Sequence, residues 1–175
     1  SVLAYAKKID TPLTLVKEQY KGEIGLEGVH QKLNAAVAIK VIEAISNPFP
    51  VSKEMIKNGI KQAQIVARFE KINVGNKSVI LDVAHNPAAV QTLVETLSDS
   101  PMETVAIFSA LADKNIDDMI GLASPNIRHW FLVPLSAERS VQMEVLEDKF
   151  GGSQETTVCA SMASAIEQAL ALKEI

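Results

Sequence analysis

The chain reads as an α/β protein whose later part, from about residue 50 on, is a doubly wound domain: a mostly parallel sheet with helices on both faces. Three observations predict this. From Val79 onward, strand-like and helix-like periods alternate at regular spacing. The runs Val79-Ile80-Leu81 and Trp130-Phe131-Leu132-Val133 are apolar throughout rather than alternating, as strands covered on both faces should be. Ahead of this alternation stands Asn47-Pro48-Phe49-Pro50, whose two prolines cannot continue a helix. That segment is the expected linker and divides the chain into 1–46 and 47–175.

Taken in order, the first 30 residues are short apolar runs such as Thr14-Leu15-Val16, broken by Gly22, Gly25 and Gly28, and read as small strands, loops and turns. Lys32 to Ile45 is an Ala-rich helix with Leu33, Ala36, Val37, Val41 and Ala44 on one face. Ser52 caps a second helix with Met55, Ile56, Ile60 and Ala63 as the stripe. Phe69–Val74 and Ser78–Val83 flank the turn Gly75-Asn76 as a hairpin. Then follow a helix from Pro87 to Leu97, a strand Val105–Phe108, and a helix Asn115–Leu122 capped by Asn115. A strand Trp130–Val133, a helix Val141–Phe150 closed by Gly151-Gly152, and a strand Thr156–Cys159 come next. An Ala-rich helix from Ser161 to Lys173 ends the series, with Ser164 and Glu167 matching a capping box.

Composition narrows the function classes. With 17 Lys+Arg against 21 Asp+Glu the formal charge is −4, which argues against a nucleic-acid footprint. At 47% hydrophobic and 22% charged residues the chain can bury a sizeable core. No window reaches the roughly 18 consecutive apolar residues of a membrane span. Cys159 is the single cysteine, so a cytoplasmic, reducing setting is the natural expectation. The start at Ser1 rather than Met, without a signal segment, suggests an excised or processed piece.

In parallel α/β sheets, ligands bind beyond the carboxyl ends of the strands. The richest such loop is Leu81-Asp82-Val83-Ala84-His85-Asn86-Pro87: a carboxylate at a strand end, an imidazole three residues later, then an N-cap and a proline suited to the first helical position. The helix start favours an anion nearby, while a purely turn-satisfying role for Asp82 and His85 has about even weight. Arg68 begins the partner strand of the hairpin, so Arg68 and Asp82 face one site, where an arginine suits a phosphate; an ordinary surface arginine is the alternative. Asp113-Lys114-Asn115 and Glu138-Arg139 follow strand ends and read better as capping and surface residues. His129 reads as packed or surface histidine and Cys159 as a small buried hydrophobe. The phosphate loop G-x-x-x-x-G-K-[ST], the G-x-G-x-x-G fingerprint, H-E-x-x-H and C-x-x-C are all missing.

Three segments in order go beyond periodicity: Leu26-x-Gly28-x-His30-Gln31-x-x-Asn34-Ala35-Ala36, Ala67-Arg68-Phe69-Glu70, and Leu81-Asp82-Val83-Ala84-His85-Asn86-Pro87. Together with Phe108-Ser109-Ala110-Leu111 and Asp113-Lys114, they closely resemble the folylpolyglutamate synthase/dihydrofolate synthase family of the Mur ligase superfamily. Mur ligases proper look similar around the arginine but usually carry another version of the histidine loop, often with tyrosine.

The resemblance implies an ATP-dependent ligase that joins L-glutamate to dihydropteroate or folate through an acyl phosphate. It implies that 1–46 is the tail of a central ATP-binding domain and 47–175 a Rossmann-like, C-terminally truncated glutamate ligase-type domain. Asn34 then approaches the adenine, Arg68 the ATP phosphates and Asp82 the ribose hydroxyls, with His85 lining the nucleotide site as the expected catalytic residue. ATP and Mg2+ are the implied cofactors, the metal held mainly by parts outside this chain; the parent is expected to be a monomer and the isolated piece silent. Ala67 departs from the pattern, which usually has Gly before the arginine. Two other readings stay open: a stand-alone nucleotide-binding or regulatory module, and a fragment of a cell-wall Mur ligase.

Overall fold

The computed structural model describes residues 2–45, 50–98, 103–152 and 154–172. The chain forms two compact units, Ser1–Gln64 and Ile65–Ile175.

The first unit is helical. It holds α1 (Val2–Lys8), α2 (His30–Ile45) and α3 (Lys53–Gln62). Among its described residues no strand occurs, which corrects the expectation of small strands before residue 30. Leu3, Ala4, Ala6, Lys7 and Lys8 are good helix formers, and the two lysines sit in the last turn, where they oppose the helix dipole. Seven residues are too short to show a period. On α2 the apolar face is largely open: Leu33, Val37 and Val41 are 38%, 44% and 53% exposed, and the buried residue is Gln31. The α3 cap is as expected, with the Met55 N–H donating to Ser52 Oγ at 3.2 Å, but Met55 itself faces solvent. Gly25 donates its N–H to the Ile60 carbonyl, and a Cβ there would lie 2.4 Å from the Ala63 carbonyl oxygen, so only glycine fits this approach. The expected linker residues Asn47, Pro48 and Phe49 lie outside the described residues, and α3 belongs to the first unit.

The second unit contains the hairpin β1 (Glu70–Val74) and β2 (Lys77–Leu81), then α4 (Pro87–Ser98), β3 (Thr104–Phe108), α5 (Ile116–Ala123), β4 (Ile127–Leu132), α6 (Met143–Asp148), β5 (Glu155–Val158) and α7 (Met162–Ala171). β3, β4 and β5 form a parallel sheet in sequential order, while β1 and β2 pair antiparallel in a sheet of their own. Val79–Leu81 therefore belongs to a separate hairpin and does not open the parallel sheet. Its turn takes a positive φ at Gly75 alone, the arrangement of a II′ hairpin turn with glycine first.

The apolar run in β4 is explained by cover on both sides. Trp130 and Leu132 point into a cluster with Ile116, Ile120, Leu146 and Phe150, from α5, α6 and the turn after α6. Phe131 and Val133 point the other way, toward Cys159 and Ala165 of the β5–α7 segment. Phe108, Trp130 and Phe150 pack as three rings with centroids 5.2–6.4 Å apart. Lys149 Nζ ties α6 to α5 through Asp117 at 2.8 Å, and Lys77 Nζ ties the hairpin to the Leu172 carbonyl at the end of α7.

Two helix ends differ from the sequence reading. α6 covers only six of the ten residues expected, with Val141 and Gln142 still extended ahead of it. α7 is capped by Ser161, whose Oγ accepts from the Ser164 N–H at 3.2 Å; Ser164 is already helical and accepts from Gln168 instead of forming a capping box with Glu167. The extended backbone of Ser161 suits a cap, and Ser164 has lost that conformation.

Candidate functional site

The site grows from the register of the hairpin. Glu70 pairs with Leu81, so the residues just outside the ladder, Ala67-Arg68-Phe69 on one strand and Asp82-Val83-Ala84 on the other, meet. Asp82 joins them. Its Oδ2 accepts from the Phe69 N–H and its Oδ1 from the Ala84 N–H, both at 2.8 Å. The Val83 N–H donates to the Ala67 carbonyl at 3.0 Å, and the Ala67 N–H donates to Glu70 Oε2 at 2.8 Å. Ala67 and Phe69 both have left-handed backbones, with φ of 55° and 50°. For residues with a Cβ that conformation costs energy, which makes glycine the natural occupant of position 67.

Between these two strained residues, Arg68 is exposed and has no hydrogen-bond or ion-pair partner among the described residues. The Phe69 ring anchors the turn in the protein, with Lys71 Nζ 5.3 Å from its centroid. On the other side of the seam, His85 Nδ1–H donates to the Val83 carbonyl at 2.9 Å. That bond sets the neutral tautomer and leaves Nε2 as an exposed acceptor.

The start of α4 offers an anion less than expected. Pro87 has no N–H, and the Asn86 side chain accepts from the Ala89 N–H at 2.9 Å. The Ala88 N–H is the first-turn donor left without a partner among the described residues.

The hairpin thus brings Arg68, Asp82 and His85 onto two turns stitched together by backbone bonds. Asn34 belongs to the first unit. It is exposed on α2, and its Nδ2 donates to Gln31 Oε1 at 2.9 Å, leaving its carbonyl oxygen and one N–H for a ligand. Glu70 was missed as a site residue. The signal for it was its place three residues after a position at which the resembled family carries glycine.

The other residues considered do less. Asn115 caps α5 through the Asp118 N–H. Asp113 accepts from Lys114 Nζ at 3.1 Å and lies 3.7 Å from Arg139 Nη1. The Lys114 hydrogen bond holds the Asp113 carboxyl below its usual range, against a desolvation effect that pushes it up. His129 lies within β4, where Nε2 meets Thr157 Oγ1 at 2.9 Å and the ring packs on Phe131. Cys159 is buried with Gln168 Nε2 against its sulfur.

The model of the family described as Mur ligase, glutamate ligase domain, matches residues 67–174, beginning at the left-handed alanine. The chain belongs to the Mur ligase family. Within that family, the Escherichia coli dihydrofolate synthase/folylpolyglutamate synthase is 29% identical over 123 residues, which is 69% of this chain and 28% of that protein. The solved Escherichia coli FolC in complex with DHPP and ADP superposes with a TM-score of 0.68 at 28% identity, covering 80% of this chain and 33% of that one. The Yersinia pestis bifunctional folylpolyglutamate synthase/dihydrofolate synthase complexed with AMPPNP and Mn ion shares the fold at a TM-score of 0.77 and 23% identity, covering 97% of this Mur ligase chain and 44% of that one. The chain spans well under half the length of the curated relatives it matches. The resemblance to folate-linked members, read from three short segments, therefore extends over most of the chain. No helix among the described residues is long and apolar enough to cross a membrane.

Proposed function

We propose that this chain supplies the nucleotide-closing part of an ATP-dependent ligase that adds L-glutamate to dihydropteroate or a reduced folate through an acyl phosphate. The observation that carries the reading is Arg68: an exposed guanidinium with no partner among the described residues, on a turn whose backbone is bonded on both sides, within the segment that the family model covers. Such a group suits a phosphate, because its planar fork of donors matches phosphate oxygens and it never loses its proton. Held still near a transferring phosphoryl group, it stabilises charge that builds in the transition state.

The other roles follow from the donors and acceptors left open. Asp82 has both oxygens engaged by N–H groups, but each keeps a lone pair that accepts a ribose hydroxyl. His85 presents Nε2 to the same nucleotide, as acceptor when neutral and as donor when protonated. Asn34, with one N–H and its carbonyl oxygen available, matches the paired donor and acceptor of an adenine edge. A metal ion is a different matter. Among the described residues no group of three or more His, Cys, Asp or Glu is arranged to hold one. The Mg2+ of this reading is held by other parts of the ligase, and no step here runs through it. The enzyme works as a monomer in the cytoplasm, and the 175 residues by themselves are inactive and bind ATP weakly.

The test is Arg68→Ala in the protein as it occurs in its cells. Turnover should fall about 100- to 1,000-fold, the range for removing a donor that acts on transition-state charge, while the melting temperature stays within a degree or two. Unchanged turnover in the purified variant would remove the phosphate role. Tight, magnesium-dependent ATP binding by the 175 residues alone would favour a stand-alone module over a ligase part.

A further inference from the structure

Arg68 is flanked by two non-glycine residues in the left-handed region, Ala67 and Phe69, within three consecutive positions. Such a backbone persists only where its surroundings over-determine it. Two carboxylates do so here. Asp82 holds the Phe69 N–H from the facing strand. Glu70, half-buried at the first position of β1, turns its Oε2 back to the Ala67 N–H at 2.8 Å. The Ala67 carbonyl is in turn held by the Val83 N–H. The two peptide groups that flank the arginine are therefore held from the turn after β2, and the peptide group before Ala67 is held from β1, so the left-handed Ala67 is fixed on both of its sides.

We infer that Glu70 is a positioning residue for Arg68: its carboxylate locks the left-handed turn that aims the guanidinium, and it touches neither nucleotide nor reacting atoms. This rests on the reading of Arg68 as the phosphate-facing group. The chemistry of the acceptor decides what can replace it. A carboxylate takes an N–H bond with charge assistance, a carboxamide takes the same bond more weakly, and alanine takes none. Without the bond, the strained turn relaxes toward ordinary φ values and Arg68 samples many directions, so binding must first restore the productive one.

The experiment measures turnover of Glu70→Ala, Glu70→Gln, Arg68→Ala and the double variant Arg68→Ala/Glu70→Ala in the full protein. Amide hydrogen exchange of the 65–70 segment is followed alongside it. Glu70→Ala should lose about tenfold or more in turnover, and Glu70→Gln should recover most of that loss. Exchange at 65–70 should quicken in Glu70→Ala while the β4 segment keeps wild-type protection. The deciding result is the double variant. If Glu70 acts through Arg68, adding Glu70→Ala to Arg68→Ala costs nothing further. An equal loss in both backgrounds, or faster exchange with undiminished turnover, overturns the inference while leaving the Arg68 reading intact. Wild-type turnover in Arg68→Ala instead brings down that reading, and the inference with it.

Discussion

The parallel sheet and the hairpin belong to one compact unit, yet they are held in opposite ways. At the end of β4 and the residue after it, four consecutive residues, Trp130 to Val133, are buried against two apolar layers, and Leu132, Val133 and Leu146 are fully enclosed. In the hairpin Ile72, Val74 and Leu81 are each about two-fifths exposed, and the order at its open end comes from carboxylates, N–H groups and strained backbone. Apolar burial is strong but non-directional, so it sets stability without aiming any one group. Hydrogen bonds contribute less net free energy but fix direction. The contrast places stability in the sheet and geometry at the site.

The largest expected effect breaks the sheet side. Leu146→Ala removes a fully buried side chain from the aromatic cluster and should cost about 2–5 kcal/mol in urea unfolding. A cost under about 1 kcal/mol would mean the sheet is not the main store of stability. Next comes Asn86→Ala, which deletes the α4 cap and should cost about 1 kcal/mol. Ala67→Gly should act in the other direction, raising stability by up to about 1 kcal/mol, because glycine adopts the left-handed turn without the Cβ penalty. Destabilisation by that change, measured by thermal unfolding, would mean the turn does not hold its positive φ in solution.

The smallest effect is electrostatic and lies in the loop between β3 and α5. The Asp113 carboxyl is held below its usual range first by the Lys114 hydrogen bond, with Lys114 and Arg139 charges adding to it. For a depressed folded value, the stabilising contribution is complete above the unfolded value and disappears as pH falls through the folded one. Asp113→Asn should therefore show a slight stability loss at pH 7 that vanishes in acid and shrinks with added salt. A loss that persists at the acid end would point to a structural rather than an ionic role.

Much of the sheet was legible because its signals are redundant. Trp130–Val133 is too apolar for a one-sided strand, and Ser52, Asn86 and Asn115 stand where caps are needed. The α2 stripe was visible yet stays largely exposed, because a period shows which face is apolar and says nothing of what covers it. At the site, the expected meeting of Arg68 and Asp82 followed from hairpin geometry. Glu70 did not, since its bond depends on a left-handed alanine, and propensity gives no warning of positive φ at a residue other than glycine. Nor did the strand pattern show that β2 pairs with β1 alone, because Val79 and Ile80 are apolar enough for either sheet.

The single tryptophan of the chain carries a practical consequence. Trp130 is 3% exposed among Phe108 and Phe150, and its indole N–H has no hydrogen-bond partner among the described residues. Its emission in the native protein should be blue-shifted and should report the sheet core alone, leaving the helical first unit and the Arg68 turn dark. Far-ultraviolet circular dichroism sees the helices of both units. Two midpoints that coincide indicate one cooperative transition; two that separate give each unit its own melting curve, without cutting the chain.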